Sequence, residues 1–318
     1  MPCYHPKQAF FKINQDGKKE IEFCDYLQSS FERGVKPNLT MSSVARFDGK
    51  LTLPCGNCIG CRLERSRQWA VRCMHEASLY EDNCFLTLTY SPEFLPSDGS
   101  LKKVHLQQFI SDLRKKFCYR KGLSLRVRYF GCGEYGDKLG RPHYHLCLFN
   151  FDFKDKLYWK SVGGCKYYTS SDLQVLWPYG YSAIGDLTFE SAAYVARYCT
   201  KKITGKIADD YYQGKSCEFP LMSLKPGIGF EWFQKFKGDV FPSDEVIVRG
   251  LKCKPPRYYD KLLNVEDEEA FEQVKERRRQ RALEKEDDNT HRRLLVKEKC
   301  QNARMKQLIR KLETDYDR

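Results

Sequence analysis

Leu125-Arg-Val-Arg-Tyr-Phe-Gly-Cys-Gly-Glu-Tyr135, then Gly136-Asp-Lys-Leu-Gly140, then Arg141-Pro-His-Tyr-His-Leu-Cys-Leu-Phe-Asn-Phe151 is the stretch that decides the fold. The first segment alternates well enough for a strand. The middle segment supplies turn residues, and Pro142 opens a second strand that runs from His143 to Phe151. The spacing therefore predicts an antiparallel hairpin. Residues two apart on a strand share a face, so His143 and His145 project together. They are two of only six histidines in the chain. Two imidazoles side by side on a sheet form half of a divalent-metal site. Glu134 lies on the preceding strand, across the turn, where its carboxylate is placed to face them. Taken alone, a His-x-His triplet is equally the pattern of a satisfied histidine pair, so the triplet does not settle the matter.

Outward from the hairpin, Cys84-Phe-Leu-Thr-Leu-Thr-Tyr90 is apolar, β-branched and aromatic and stops at Ser91-Pro92, which predicts a strand. Gly180–Leu187 reads as another, and shorter strands are expected near Ala9–Ile13 and Lys50–Leu53. Arg62–Tyr80 has good helix formers and neither Gly nor Pro. Val104–Phe117 has one apolar face, formed by Leu106, Phe109, Ile110, Leu113 and Phe117. Glu190–Ile203 is the third predicted helix, and it carries Tyr194-Val-Ala-Arg-Tyr198-Cys-Thr-Lys201-Lys202. Tyr194 and Tyr198 are one helical turn apart and share a face. A tyrosine hydroxyl titrates near pH 10 and needs activation to act as a nucleophile. A metal-bound phosphate and a lysine ammonium would both favour the phenolate. The chain has 20 tyrosines, so a pair at this spacing is also ordinary packing.

The bulk composition sets limits. The 318 residues suffice for one large domain or two smaller ones, and 41% hydrophobic with 31% charged residues describes a globular chain with a wet surface. No run of about 18 apolar residues exists, and the N-terminus has neither the basic start nor the apolar stretch of a secretory signal. The net charge of +13 suits a partner with a phosphate backbone but equally a solvated basic surface. Residues 261–318 hold 16 Lys/Arg and 14 Asp/Glu, a net of +2, so the remainder carries +11. That segment, with sparse apolar residues such as Leu294, Leu295, Leu308 and Leu312, reads as a charged helical arm. The expected organisation is an N-terminal extension over 1–60, a domain over 61–260 and the helical tail over 261–318.

Fifteen cysteines without a secretory signal argue against a disulfide framework. Cys55-x-x-Cys58-x-x-Cys61 places three thiols close together, with Gly56 and Gly60 permitting tight turns. Cys3, His5 or Cys73 is available as a fourth ligand. The cluster reads either as a structural Zn²⁺ site or as reduced cysteines in a turn.

These pieces together resemble the HUH endonuclease superfamily. Phe85-Leu-Thr-Leu-Thr-Tyr90 looks like its first motif, Arg141-Pro-His-Tyr-His-Leu146 like its second, and Tyr194-Val-Ala-Arg-Tyr198 with the following lysines like its third in two-tyrosine form. The resemblance covers roughly residues 50–205 and is closest to rolling-circle replication initiators of small icosahedral single-stranded-DNA phages, the gokushovirus branch of the Microviridae. Pro54-Cys-Gly-Asn-Cys-Ile-Gly-Cys-Arg62 and the Gly133-Glu-Tyr-Gly136 hairpin are typical of that branch. Tyr144 departs from the usual aliphatic residue in the middle of the second motif.

The resemblance implies an α+β fold with a central antiparallel sheet flanked by helices, HUH or RRM-like. It implies Mg²⁺ or Mn²⁺ on His143, His145 and Glu134, the last assigned by analogy. One tyrosine would attack the scissile phosphate to give a 5′-phosphotyrosine and a free 3′-hydroxyl. The other would cut the regenerated origin, with Lys201 or Lys202 steadying phosphate or phenolate. Single-stranded and origin duplex DNA and host replication machinery would be the partners, in the cytoplasm of a bacterial host. Arg62, Arg65, Arg67, Arg72, Lys115 and Lys116 are candidate phosphate contacts. The alternatives are an HUH transposase or relaxase, a non-catalytic nucleic-acid-binding protein, and a His-x-His metallohydrolase; the last needs downstream ligands, where only His291 remains.

Overall fold

A computed structural model describes residues 3–14, 19–23, 49–120, 123–136, 140–198 and 207–307. Fourteen strands and nine helices follow one another along these residues: β1 (Lys7–Ile13), β2 (Lys19–Phe23), β3 (Gly49–Leu53), α1 (Ile59–Ala77), β4 (Asn83–Tyr90), α2 (Lys103–Phe117), β5 (Tyr119–Arg120), β6 (Leu123–Ser124), β7 (Arg128–Tyr135), β8 (Pro142–Phe149), β9 (Leu157–Val162), β10 (Cys165–Thr169), α3 (Ser171–Leu176), β11 (Gly180–Gly185), α4 (Phe189–Tyr198), α5 (Ile207–Tyr212), β12 (Phe219–Met222), α6 (Phe230–Val240), β13 (Val246–Val248), β14 (Leu251–Cys253), α7 (Arg257–Glu266), α8 (Glu268–Leu283) and α9 (His291–Gln307). The chain divides into two compact units, one of residues 1–64 with 280–308 and one built on 65–279.

The larger unit is organised by a seven-stranded sheet in the order β12-β7-β8-β4-β11-β10-β9. All its pairings are antiparallel. The expected hairpin is β7–β8, with Glu134 opposite His143 and Cys132 opposite His145. β8 is buried along its whole length because it is covered on both faces. Tyr144, Leu146 and Leu148 pack with Leu86, Leu88, Leu106, Phe109, Leu113 and Trp177, beneath α2 and α3. The intervening Cys147 and Phe149 face the opposite way, into a core with Phe85, Phe130, Ala70, Cys73, Val195 and Ala196 from α1 and α4. The alternation follows directly from the period-2 geometry of a strand. A third core, including Val71, Phe233, Val240, Tyr259, Leu263 and Val274, seats α6, α7 and α8.

Local chemistry sets the element ends. β8 stops before Asn150, whose φ of 60° leaves the strand region, so the strand is shorter than its apolar run through Phe151. Pairing of the preceding strand begins at Arg128 rather than Leu125. α1 closes at Ala77, where the Asn83 side-chain amide donates to the carbonyls of Ala77 (3.1 Å) and Tyr80 (2.9 Å) and satisfies the helix end while β4 starts. Gly131 permits the β7–β8 approach: a Cβ there would stand 2.7 Å from the His145 carbonyl oxygen. A buried ion pair between Arg128 and Glu76 ties β7 to α1, and the second Glu76 oxygen accepts from Gly229 N at 2.7 Å.

The charged C-terminal segment is helical over α7, α8 and α9. Val274 is the buried residue of α8 and Leu294 that of α9. Arg278 on α8 is nevertheless held by Asp244 (Nε to Oδ2, 2.9 Å) and Asp260 (Nη1 to Oδ2, 2.9 Å). In the smaller unit, β2-β1-β3 form a three-stranded sheet, and His5 Nε2 meets Glu298 Oε2 on α9 at 2.6 Å. No described helix is long and apolar enough to cross a membrane.

Candidate active site

The hairpin register places Glu134, His143 and His145 on one face of the sheet, and their ligand atoms all lie within 4.8 Å of one another. Glu134 Oε1 lies 2.7 Å from His143 Nε2 and 3.0 Å from His145 Nε2. The opposite ring nitrogens are engaged. His143 Nδ1 lies 3.0 Å from the Arg141 carbonyl oxygen, and His145 Nδ1 lies 3.0 Å from Thr87 Oγ1 on β4. A carbonyl only accepts, so the hydrogen of His143 sits on Nδ1. Its Nε2 lone pair then faces a carboxylate oxygen, an arrangement that needs positive charge between them. Both a proton and a metal ion meet that need, and a hydrogen-bond acceptor on Nδ1 is how proteins orient a metal-ligating histidine.

Burial works to raise the Glu134 carboxyl, but the neighbouring His145 and His143 outweigh it and hold it below the usual carboxylate range. Burial lowers the His145 imidazole, against the opposing pull of Glu134. Glu134 Oε2 is buried and, among the described residues, accepts no hydrogen bond. An unsatisfied carboxylate oxygen beside two convergent imidazole nitrogens is a donor set that fits a divalent cation.

α4 brings Tyr194 to the same place. Its hydroxyl donates to Glu134 Oε1 at 3.3 Å, and its ring stands edge-on to His145 with centroids 4.9 Å apart. A reciprocal cap fixes the helix start: Ser191 Oγ accepts from Thr188 N (2.8 Å), and Thr188 Oγ1 accepts from Ser191 N (3.2 Å). Fully buried Ala192 and Ala196 allow close packing, and Ser66 Oγ of α1 donates to the Ala193 carbonyl at 2.9 Å. Tyr198 is the last residue of α4, one turn beyond Tyr194. Lys201 and Lys202 lie outside the described residues.

Several side chains here are not among the site residues expected from sequence. Thr87 is the signal-bearing one, since strand alternation within β4 puts it on the histidine face, opposite His145. Arg141 Nε is buried and, among the described residues, has no hydrogen-bond partner, two residues before His143. Tyr181 on β11 pairs with Thr89, which pairs with His143, which pairs with Glu134. Directly opposed residues project to the same side, so Tyr181, 63% exposed, stands in the row of the metal-ligating candidates. It is two strands away, about 10 Å. At the β9 edge, Lys160 Nζ lies 4.3 Å from the centre of the half-exposed Trp159 ring.

The candidate phosphate contacts divide. Arg72 is enclosed: its guanidinium lies 4.0 Å from both the Trp69 and the Tyr258 rings, and its Nε donates to the Ile228 carbonyl at 2.9 Å. It serves packing rather than a ligand. Arg67 donates to the Lys254 carbonyl at 2.9 Å, Lys115 pairs with Asp112, and Lys116 with Asp172. Arg65 is exposed on α1 and Arg62 half-buried. Tyr144 sits wholly inside on the other face; its hydroxyl meets Tyr90 OH at 2.7 Å and accepts from Lys102 N at 2.8 Å, which explains why an aromatic is tolerated there.

In the smaller unit, Cys3 joins Cys55, Cys58 and Cys61, all four sulfurs lying within 4.8 Å of one another. His5 is engaged with Glu298, and Cys73 is buried in a core of the larger unit, so neither completes this group.

Comparison with known proteins places the chain. Residues 83–203, which hold the metal-ligating candidates and both tyrosines, match the family model "Replication-associated protein ORF2/G2P". The chain is 34% identical over 270 residues to "Replication-associated protein ORF2" of Spiroplasma virus 4, covering 78% of this chain and 82% of that protein. It is 39% identical over 215 residues to "Replication-associated protein VP4" of Bdellovibrio phage phiMH2K, covering 65% of each. It is 31% identical over 217 residues to "Replication-associated protein ORF4" of Chlamydia phage 1, covering 66% of this chain and 53% of that protein. No solved structure matches.

Proposed function

The chain belongs to the family of phage replication-associated proteins, and from that premise we propose that it initiates rolling-circle replication by cutting the viral strand at the origin with a tyrosine nucleophile. The observation that carries this reading is the meeting of Tyr194 OH and Glu134 Oε1 at the oxygen on which both imidazoles converge. A nucleophile and a cation-binding group within reach of one phosphate are what a strand-cleaving site requires.

His143, His145 and Glu134 would hold Mg²⁺ or Mn²⁺, which supplies Lewis-acid charge to the scissile phosphate when bound. Glu134 Oε1 orients the Tyr194 hydroxyl and favours loss of its proton. As that proton leaves, the Tyr194 oxygen–phosphorus bond forms, the bond from phosphorus to the 3′ oxygen breaks, and the 3′ oxygen takes a proton. The products are a 5′-phosphotyrosine and a 3′-hydroxyl for a host polymerase to extend. The phosphodiester energy is kept in the protein link, so rejoining needs no ATP. Tyr198, one turn on, provides the second nucleophile for cutting the regenerated origin and releasing a circle, and Lys201 or Lys202 steadies phosphate or phenolate. Arg141, two residues before His143 and with a buried Nε donor, would supply positive charge to the phosphate.

The strand is single at the site of cleavage. Its flanking bases stack on exposed aromatics, for which Tyr181 and Trp159 are suited by exposure and by their place on the sheet that bears the histidines. The catalytic domain in this reading is residues 61–260. Incubation with a labelled single-stranded origin oligonucleotide and Mg²⁺ or Mn²⁺, followed by a denaturing gel, tests it: a protein–DNA adduct is expected only with the metal present. A shift that is lost on denaturation would instead support a non-catalytic DNA-binding protein.

A further inference from the structure

Among its described residues, the smaller unit buries few apolar side chains. Among the described residues up to Cys61, the buried apolar side chains are Cys3, Tyr4 and Ala9. Its sheet has three strands of seven, five and five residues, β1, β2 and β3. A sheet this small gains much from a staple beyond hydrophobic burial. The register shows where one would act. β1 pairs antiparallel with β3 so that Lys7 faces Leu53. The chain before β1 and the chain after β3 therefore leave the sheet side by side, which brings Cys3 to the Cys55–Cys61 segment although the long β1–β3 connection separates them in sequence.

We infer that Cys3, Cys55, Cys58 and Cys61 bind one structural Zn²⁺ that clamps the open end of the β1–β3 pair to the start of α1. The four sulfurs lie mutually within 4.8 Å. All four are free thiols, not disulfides. Three backbone amides already point at sulfur: Tyr4 N to Cys58 Sγ (3.4 Å), Cys55 N to Cys3 Sγ (3.2 Å) and Cys58 N to Cys55 Sγ (3.3 Å). Such donors stabilise sulfur as the thiolate that a metal needs. The four ligands leave no open position for water or substrate, so the site is structural rather than catalytic. Binding releases the four thiol protons as four zinc–sulfur bonds form, leaving a net charge of −2. That charge falls on the first turn of α1, which contains no acidic residue and where Arg62 follows Cys61. Cys3 is the part of this assignment that the Cys-x-x-Cys-x-x-Cys spacing does not give.

The full chain, purified anaerobically without chelator, is expected to contain one zinc per chain by elemental analysis. Alkylation followed by peptide mass mapping should find Cys3, Cys55, Cys58 and Cys61 protected until a strong chelator is added. Exposed Cys300 should react in both states and serve as the internal reference. Replacement by Co²⁺ should give the visible and thiolate charge-transfer bands of a tetrahedral thiolate site, and Cys3→Ser should weaken those bands and lower zinc affinity at least tenfold. Zinc-free protein whose four thiols alkylate without chelator, a disulfide among them, or a Cys3→Ser protein with unchanged cobalt bands would each overturn the assignment. Should Cys3→Ser fail to fold, the zinc content and alkylation map of the unaltered chain decide. None of these readouts depends on DNA cleavage.

Discussion

Tyr194 and Glu134 meet through the Tyr194 hydroxyl and Oε1, 3.3 Å apart, although they are separated by 60 residues and carried by a helix and a strand. The same oxygen meets both imidazoles, so in the proposed mechanism the charge of one carboxylate would govern the nucleophile and the cation site together. Glu134→Gln keeps the shape and removes that charge. Single-turnover cleavage of an origin oligonucleotide should fall by roughly 100-fold or more, a typical loss for a group positioned to assist proton transfer. Circular dichroism should be unchanged. A cleavage rate equal to that of the unaltered protein would remove Glu134 from the site.

Glu76 and Arg128 form an ion pair that is buried on both sides. Removing one partner strands the other charge without solvent, which costs about 3–5 kcal/mol. Glu76→Ala also orphans the Gly229 amide. Urea unfolding should show a stability loss of that size, and a loss under about 1 kcal/mol would mean that water reaches Arg128 in the variant.

His75 stacks on Trp232 and contacts Tyr259 OH at 2.8 Å; burial holds its imidazole down at about 4, from an ordinary 6.5. Below pH 6.5 the unfolded chain takes a proton at this position that the folded chain refuses until about pH 4. Stability from this group is therefore complete above pH 6.5, declines as pH falls towards 4, and levels off below. Each pKa unit is worth about 1.4 kcal/mol, and partial solvent access reduces the total to on the order of 2 kcal/mol. His75→Gln should lose less stability between pH 7 and pH 4.5 than the unaltered protein does; equal losses would place the acid sensitivity elsewhere.

Tyr181 offers an exposed ring in the row of His143 and Glu134. Tyr181→Ala should weaken single-stranded oligonucleotide binding by about 1–3 kcal/mol, the usual worth of one stacked base. Anisotropy titrations without added metal measure this directly. Cleavage at saturating DNA should persist, and an unchanged affinity would place the strand on another path.

The sequence and the structure agree where a local pattern is also a burial pattern. β4 is legible from its apolar, β-branched and aromatic residues ending at Ser91-Pro92, and β8 from the turn before Pro142 and its mostly apolar run, which is buried on both faces. The hairpin turn fixes register and so puts Glu134 opposite His143, whereas the reading of Glu134 as a ligand comes from the family resemblance. β9 and β10 were not legible: β9 is an edge strand, largely exposed, and its Leu-Tyr-Trp-Lys-Ser-Val run has no alternation to reveal a face. β12 holds Pro220, which argues against a strand in sequence and is accommodated because β12 is an edge strand. Cys3 and Thr87 depend on pairing between strands distant in the chain, which spacing does not encode. Arg72 reads in sequence as a candidate phosphate contact, and only tertiary packing shows that two aromatic rings enclose it.

The most direct measurement of the central claim is covalent capture. The chain and its Tyr194→Phe, Tyr198→Phe double variant are each incubated with a 5′-to-3′ internally labelled single-stranded origin oligonucleotide and Mn²⁺, then run on a denaturing gel. The unaltered protein should carry label that proteinase removes and chelator prevents, and the double variant should carry none while still binding the oligonucleotide. Label that stays with the double variant, or an unaltered protein that never acquires it at an origin it binds, would contradict tyrosine-mediated nicking.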